Sequence, residues 1–131
     1  MSVRLLDTNI VSYIHKRHRL LARYRRHIDG YDLAISFQTL SELYAGGMIA
    51  GWGDQRWREL DATLSTLGVI HSDEEVCVRW AEIQAARRSQ PIGDSDCWIA
   101  ATALAFGLEL VTHNPTDFSN IPGLIVIAES P

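Results

Sequence analysis

Short apolar runs and helical patterns alternate along the whole chain, and this alternation is the feature that most restricts its fold. Between the runs, apolar residues recur at spacings of three and four, which is typical of helices with one buried face. The runs themselves have the length and bounding residues of buried strands: residues 3–7, 33–35, 69–71, 108–112 and 124–127. Alternating strands and helices favour a largely parallel sheet covered on both sides. We therefore predict a three-layer α/β/α fold with four to five strands, in which residues 1–131 form a single domain.

Capping residues and glycines predict several helix ends. Ser72 and Glu75 have the spacing of a capping box, which predicts that Ser72 caps a helix. The apolar segment 96–106 predicts a buried helix that ends at Gly107. A further helix from about residue 38 should loosen at residues 46–47, because two consecutive glycines weaken a helix.

Asp7 ends the first apolar run. A charge at the end of a buried strand is costly unless another group compensates it. In open α/β sheets the carboxyl ends of the strands are where ligands bind. This stretch alone leaves two interpretations of equal weight: Asp7 caps the next helix, or it holds a cation.

Three more acids are predicted to lie at the same edge of the sheet. Glu42 lies in the first turns of the helix after the second strand, Asp96 begins an apolar helix, and Asp117 follows the fourth strand. Each has an ordinary alternative role, as a solvated helix acid, a partner of the helix dipole or a loop cap. Gathered together, however, several carboxylates cannot all ionise without a counterion, and oxygen ligands in such number select Mg²⁺ or Mn²⁺. Asp94 is near Asp96 in sequence, but residues two apart do not share a helical face.

Two threonines at strand ends are candidate supporting residues. The hydroxyls of Thr8 and Thr112 could orient a carboxylate or a metal-bound water. Helix capping explains Thr8 equally well.

The two cysteines, Cys77 and Cys97, belong to no C-x-x-C pair, which predicts two buried thiols and a reducing cytoplasm. The N-terminus lacks the pattern of a secretory signal. No stretch reaches the roughly 20 apolar residues of a membrane span, so we expect no membrane association.

At the residues described above, the chain resembles the PIN-domain family, in particular the VapC-type toxins of bacterial toxin–antitoxin pairs. The matching pieces occur in the family's order: LLDTN at 5–9, SEL at 41–43, IG at 92–93, DCWIAA at 96–101, LVT at 110–112, DF at 117–118 and IPGL at 121–124. They span nearly the whole chain. Some family members place another acid between the threonine and the last acid. This chain has His113, Asn114 and Pro115 there, so the fourth acid is Asp117 alone.

The resemblance implies a metal-dependent ribonuclease that cuts structured RNA and leaves a 3′-hydroxyl and a 5′-phosphate. It implies an acidic tetrad of Asp7, Glu42, Asp96 and Asp117 that holds Mg²⁺ or Mn²⁺. It also implies a homodimer and a VapB-type antitoxin that covers the acidic site.

One segment is strongly basic although the formal net charge is −4. Residues 16–27 contain six Lys or Arg and no acid, whereas the rest of the chain carries six basic and sixteen acidic groups. Such a segment could bind RNA phosphates, an acidic antitoxin surface, or only water. The candidate RNA-binding residues are Arg17, Arg19, Arg23 and Arg26.

Two other classes of function remain open. A phosphotransfer domain could use a strand-end aspartate as its nucleophile, but such domains usually need a lysine near a strand end, and the only lysine here is Lys16. A catalytically inactive PIN-like domain could serve only to bind a partner, which the presence of all four acids disfavours.

Overall fold

The computed structural model describes residues 2–130, and the outermost residues of the predicted domain, Met1 and Pro131, lie outside this range. Five strands form one sheet: β1 (Val3–Leu6), β2 (Asp32–Ser36), β3 (Gly68–Ile70), β4 (Glu109–Val111) and β5 (Val126–Ile127). Six α-helices lie between them: α1 (Thr8–Lys16), α2 (Leu21–Ile28), α3 (Phe37–Ile49), α4 (Asp54–Leu64), α5 (Glu74–Ala86) and α6 (Asp94–Phe106). A 3₁₀ turn spans Pro115–Phe118. The predicted α/β/α architecture is confirmed.

All five strands are parallel, in the order β3-β2-β1-β4-β5. The chain starts at the centre with β1, builds outward to β3, and then returns to place β4 on the other side of β1. Leu5 of β1 pairs with Ala34 of β2 on one side and with Leu110 of β4 on the other. The direction of chain progression therefore reverses between β1 and β4, and ligands of open α/β sheets bind beside such a switch point.

Successive residues of the central strands face opposite layers, as the two-residue period of a strand requires. Leu5 and Leu110 are fully buried in one core with α5 and α6. Leu6 and Val111 are fully buried in a second core with α1, α2 and α4. The carboxyl ends of β1 and β4 are thus held by packing from two sides, so the positions just after these strands are rigidly placed.

Several predicted helix ends differ from the structure. Asp73 caps α5 instead of Ser72, because the Asp73 carboxylate accepts a hydrogen bond from the backbone N–H of Val76 at 2.9 Å. The helix α6 begins two residues before Asp96, at Asp94, whereas Gly107 ends it in the left-handed conformation as predicted (φ 64°).

The helix α3 does not loosen at its glycine pair but continues to Ile49. A Cβ atom on Gly47 would lie 2.6 Å from the Trp57 ring and 2.7 Å from the Trp52 ring. Gly47 is therefore required for the close approach of α3 to these two indoles, and tertiary packing compensates for its low helix propensity.

The two cysteines are in different surroundings. Cys97 is buried as predicted, but the prediction was wrong for Cys77, which is exposed on α5; both are free thiols. Across residues 2–130, none of the helices combines the length and apolar character that a membrane crossing requires.

Candidate metal centre

The four predicted acids all follow the carboxyl edge of the sheet. Asp7 comes directly after β1, Glu42 lies in the second turn of α3, Asp96 lies in the first turn of α6, and Asp117 lies in the 3₁₀ turn after β4. The structure places them within electrostatic reach of one another. The pKa of Asp96 rises from 3.8 to about 6, chiefly because the carboxyl is half-buried and further because of the negative charges of Asp7, Asp117 and Glu42.

Asp7 is only 6% exposed, and both of its carboxylate oxygens are held. Its Oδ1 accepts a hydrogen bond from the backbone N–H of Thr8 at 2.7 Å, which makes Asp7 the N-cap of α1. Its Oδ2 accepts one from the hydroxyl of Thr112 at 2.7 Å. Burial raises the pKa of Asp7, these two hydrogen bonds oppose the rise, and the charges of Glu42 and Asp117 add to it. Capping does not exclude cation binding, because each carboxylate oxygen has a second lone pair.

Thr112 and Thr8 support Asp7 in different ways. Thr112 is fully buried at the end of β4, and its hydroxyl reaches Asp7 across the switch point between β4 and β1. The same hydroxyl accepts a hydrogen bond from the backbone N–H of Asn114 at 3.1 Å. The hydroxyl of Thr8 donates to Thr39 at 3.0 Å, so Thr8 holds the carboxylate through its backbone and not through its side chain.

Glu42 is held by residues that the sequence analysis did not identify. The hydroxyl of Ser95 donates a short hydrogen bond to Oε1 of Glu42, and the amide of Gln38 donates to the same oxygen at 3.4 Å. Gln38 lies one turn before Glu42 on α3, which is a spacing that sequence could have shown. Ser95 is distant in sequence, and no local pattern distinguishes it from any other serine at a helix start.

Asp94 and Asp117 are both exposed. Asp94 lies at the first position of α6, and its side chain forms no hydrogen bond with other residues of the 2–130 range. The charges that raise the pKa of Asp96 are those of Asp7, Asp117 and Glu42, and Asp94 is not among them. Asp117 is thus the solvent-facing acid of the group, whereas Asp94 does not contribute to the negative charge around Asp96.

The donor set suits a hard divalent cation. Within residues 2–130, no three histidine, cysteine, aspartate or glutamate side chains lie close enough together to form a ready-made metal cage. Mg²⁺ rarely uses such a cage, because it keeps several waters and is usually bound through one or two carboxylates. Asp7 is buried, Asp96 is half-buried, and both have raised pKa values. A bound cation would stabilise the charged forms of these two carboxyls and so lower their pKa values.

The basic segment divides into free and paired arginines. Arg17, Arg19 and Arg23 are exposed and form no ion pair with any other residue from 2 to 130. Arg26 instead donates to the carboxylate of Glu129 at 2.6 Å. Its guanidinium is therefore engaged with the C-terminal segment and is less available to a further anion than the other three.

Tyr24 anchors the basic helix α2 beside the acids. Its side chain is fully buried, and its hydroxyl lies 3.3 Å from the backbone oxygen of Thr112 and beside Nδ1 of His113. The backbone N–H of Glu129 donates to the same hydroxyl at 3.1 Å. Because Thr112 also holds Asp7, one residue links the basic helix and the acidic edge of the sheet.

Replacing Asp96 with asparagine should stabilise the metal-free protein near neutral pH. In the unfolded chain Asp96 titrates near 3.8, but in the folded protein its pKa is about 6. Between these values the folded state binds more protons, so its stability falls as the pH rises through this window, and the full penalty remains above it. A shift of this size sets a ceiling of about 3 kcal/mol, which screening at a half-buried site reduces to about 1–2 kcal/mol.

Urea unfolding in the presence of a chelator would measure this gain for Asp96→Asn at about pH 7.5 and again at about pH 4, where it should nearly vanish. Asp94→Asn is the matched control, since Asp94 lies exposed in the same helical turn. An equal gain for both variants, or a gain that does not depend on pH, would contradict the assigned cause.

Comparisons with known proteins identify the family and the fold. The family profile described as "PIN domain" matches residues 4–124. "Ribonuclease VapC1" of Haemophilus influenzae is 32% identical over 127 residues, which cover 93% of this chain and 94% of the relative. "tRNA(fMet)-specific endonuclease VapC" of Shigella flexneri is 30% identical over 122 residues, which cover 92% of each chain. Among solved structures, a chain of VapBC2 from Rickettsia felis, bound to a fragment of promoter DNA, superposes with a TM-score of 0.84 at 28% identity, covering 96% of this chain and 98% of that one.

Proposed function

This chain belongs to the PIN-domain family, within its VapC group, and from that premise we propose that it is a metal-dependent endoribonuclease and the toxin of a VapBC-type pair. The observation that carries the proposal is the environment of the Asp7 side chain. This acid is buried at the switch point of the sheet, is held at both oxygens, and shares its surroundings with three further acids. Helix capping by Asp7 does not explain why three further acids lie close to it.

Asp7, Asp96 and Glu42 would hold Mg²⁺ or Mn²⁺, directly or through water, and Asp117 would complete the shell or orient the attacking water. When bound, the cation lowers the pKa of water and neutralises charge on the phosphodiester. Thr112 and the N–H of Thr8 fix the direction of the Asp7 carboxylate. Asp96 has to be ionised to bind a cation, which its pKa of about 6 allows near neutral pH. Asp117 is exposed, so water and the RNA backbone can reach it.

In the proposed cleavage, water attacks the phosphorus and the 3′ oxygen leaves with a proton, so the products carry a 3′-hydroxyl and a 5′-phosphate. Arg17, Arg19 and Arg23 would contact RNA phosphates non-specifically. Arg23 lies on α2, which Tyr24 fixes against the strand end that holds Asp7, and Arg17 and Arg19 lie in the segment that leads into this helix. Without a cation or these arginines, the acidic edge would repel the RNA backbone.

A VapB-type antitoxin is the proposed protein partner, and a homodimer is the proposed assembly, in the cytoplasm. A cavity of about 760 Å³, lined by residues of α1 and α2 and by the segments that border β2 and β3, lies away from the four acids. Its floor includes Leu21, Ile28 and Leu67, and its rim includes Arg17 and Arg25. An apolar floor with a cationic rim suits an acidic amphipathic segment of the antitoxin, in addition to the part of this partner that would cover the four acids.

Incubation of the purified chain with RNA tests the proposal. In the absence of antitoxin, Mg²⁺ or Mn²⁺ should support the appearance of new RNA ends with 5′-phosphates. A chelator should abolish cleavage, and added Mn²⁺ should restore it, because the carboxylates alone cannot neutralise the phosphate charge. Sequencing of 5′ ends that require a phosphate for ligation provides the measurement.

Cleavage that persists in the chelator at an unchanged rate would refute the metal-dependent mechanism. Absence of both cleavage and carboxylate-dependent Mn²⁺ uptake would instead favour the inactive, partner-binding alternative. Asp7→Asn protein taken through the same purification controls for a contaminating ribonuclease, because a contaminant would cleave RNA in both preparations.

A further inference from the structure

A single side-chain hydrogen bond ties together two of the elements that carry the acids. The hydroxyl of Ser95, at the second position of α6, donates to Oε1 of Glu42 on α3, 53 residues away in sequence. Ser95 directly precedes Asp96. The bond therefore joins one acid of the site to the neighbour of another, across the boundary between two helices.

The two oxygens of Glu42 are not equivalent. Oε1 accepts hydrogen bonds from Ser95 and from Gln38, whereas Oε2 accepts none from residues 2–130. Donors on one oxygen restrict rotation of the carboxylate and leave the second oxygen for another ligand. Asp7 differs, because each of its oxygens accepts one hydrogen bond.

Glu42 needs such a restraint. The negative charge of Glu42 and those of its neighbours repel each other: burial is the main reason why the pKa values of Asp7 and Asp96 are raised, and the charge of Glu42 raises both further. An unrestrained glutamate can turn away from like charges, and ordering it costs side-chain entropy. The hydroxyl of Ser95 opposes both tendencies, because it is a donor that compensates the negative charge and fixes the side chain.

We propose that Ser95 is a positioning residue that holds Oε1 of Glu42 and so presents Oε2 to the divalent cation. This inference rests on the proposed function, since it assumes that the acids bind a cation. It adds a residue that acts through Glu42 and touches neither the RNA nor the cation itself.

Isothermal titration of the purified, antitoxin-free chain with Mn²⁺ tests the inference. Removal of the hydroxyl in Ser95→Ala should weaken Mn²⁺ binding about tenfold, the lower end of the range for residues that orient metal ligands. The Mn²⁺ concentration for half-maximal RNA cleavage should rise by the same factor, while KM for RNA at saturating Mn²⁺ stays unchanged. Ser95→Thr keeps the hydroxyl and should retain wild-type affinity for Mn²⁺. Ser95→Val has nearly the shape of Ser95→Thr but no hydroxyl, and it should behave like Ser95→Ala.

Ser41→Ala is the matched control, because the hydroxyl of Ser41, next to Glu42, donates only to the backbone oxygen of Phe37 at 3.0 Å. It should bind Mn²⁺ like the wild type. Comparison of Ser95→Thr with Ser95→Val keeps the test decisive if the alanine variant folds poorly, since these two side chains have nearly the same volume.

A double-mutant cycle separates an effect through Glu42 from a direct effect on Asp96. If Ser95 acts through Glu42, Ser95→Ala should cause no further loss of Mn²⁺ affinity in a Glu42→Ala background. A full tenfold loss in that background, or wild-type affinity of Ser95→Ala itself, would overturn the inference while leaving the nuclease proposal intact. A wild-type chain that neither takes up Mn²⁺ nor cleaves RNA would overturn both.

Discussion

Asp7→Asn should reduce RNA cleavage about a thousand-fold, a loss of about 4 kcal/mol of transition-state stabilisation. Asparagine has the shape of aspartate: its Oδ1 can still accept from the backbone N–H of Thr8, and its NH2 can donate to the hydroxyl oxygen of Thr112. It lacks, however, the negative charge that a cation requires. The variant should fold at least as well as the wild type, because burial raises the pKa of Asp7 and so penalises its charged form. Initial rates on a fluorescent RNA, at matched Mn²⁺ concentrations, would measure the effect.

Asp32→Asn provides the control for this prediction. Asp32 is also a strand aspartate, but it begins β2 at the opposite edge of the sheet and is exposed. Its replacement should leave the cleavage rate unchanged. Wild-type cleavage by Asp7→Asn would remove the basis of the proposed mechanism, because no other acid of the group is both buried and held at two oxygens.

Tyr24→Ala should destabilise the fold by about 3–5 kcal/mol, the usual cost of deleting a fully buried aromatic side chain. Its ring is 0% exposed in the core formed with α1 and β4. Its hydroxyl donates a hydrogen bond to the backbone oxygen of Thr112, the residue whose side chain holds Asp7. Such a loss is a large share of the 5–15 kcal/mol that stabilises a typical domain. Urea unfolding followed by circular dichroism would measure it.

Tyr24→Phe separates the ring from the hydroxyl. It should cost about 1–2 kcal/mol, because the backbone N–H of Glu129 would lose its partner while the packing is kept. Tyr44→Phe is the control, since Tyr44 is 38% exposed and its hydroxyl has no hydrogen bond within residues 2–130, and it should have no measurable effect. If Tyr24→Phe were also silent, the hydroxyl would not be what links the basic helix to the acidic edge.

The structure weighs against a phosphotransfer domain. Lys16, the only lysine, is the last residue of α1, whereas Asp7 caps the first turn of the same helix. Nine helical residues separate their positions by about 14 Å along the helix axis. A lysine at that distance cannot assist an aspartyl phosphate at the strand end.

Local patterns predicted the type and order of the elements, because apolar residues recur every two residues in a strand with one buried face and every three to four in such a helix. They were less reliable at the ends. Ser72 and Asp73 are both good capping residues, and the choice between them depends on how the chain enters α5. The helical span across Gly46 and Gly47 was misjudged because propensity cannot show that two indoles pack against the missing Cβ.

The sequence by itself determined which residues could do the chemistry. It placed an acid after the first strand and acids near the starts of later elements, because side-chain type and local periodicity are properties of short segments. Only the tertiary structure decided how those acids are held. The hydroxyl of Thr112 donates to Asp7, 105 residues away in sequence, and that of Ser95 donates to Glu42, 53 residues away. Arg26 forms an ion pair with Glu129. Such partnerships depend on strand order and on the packing of helices against both faces of the sheet, and neither is encoded in any one stretch of the chain.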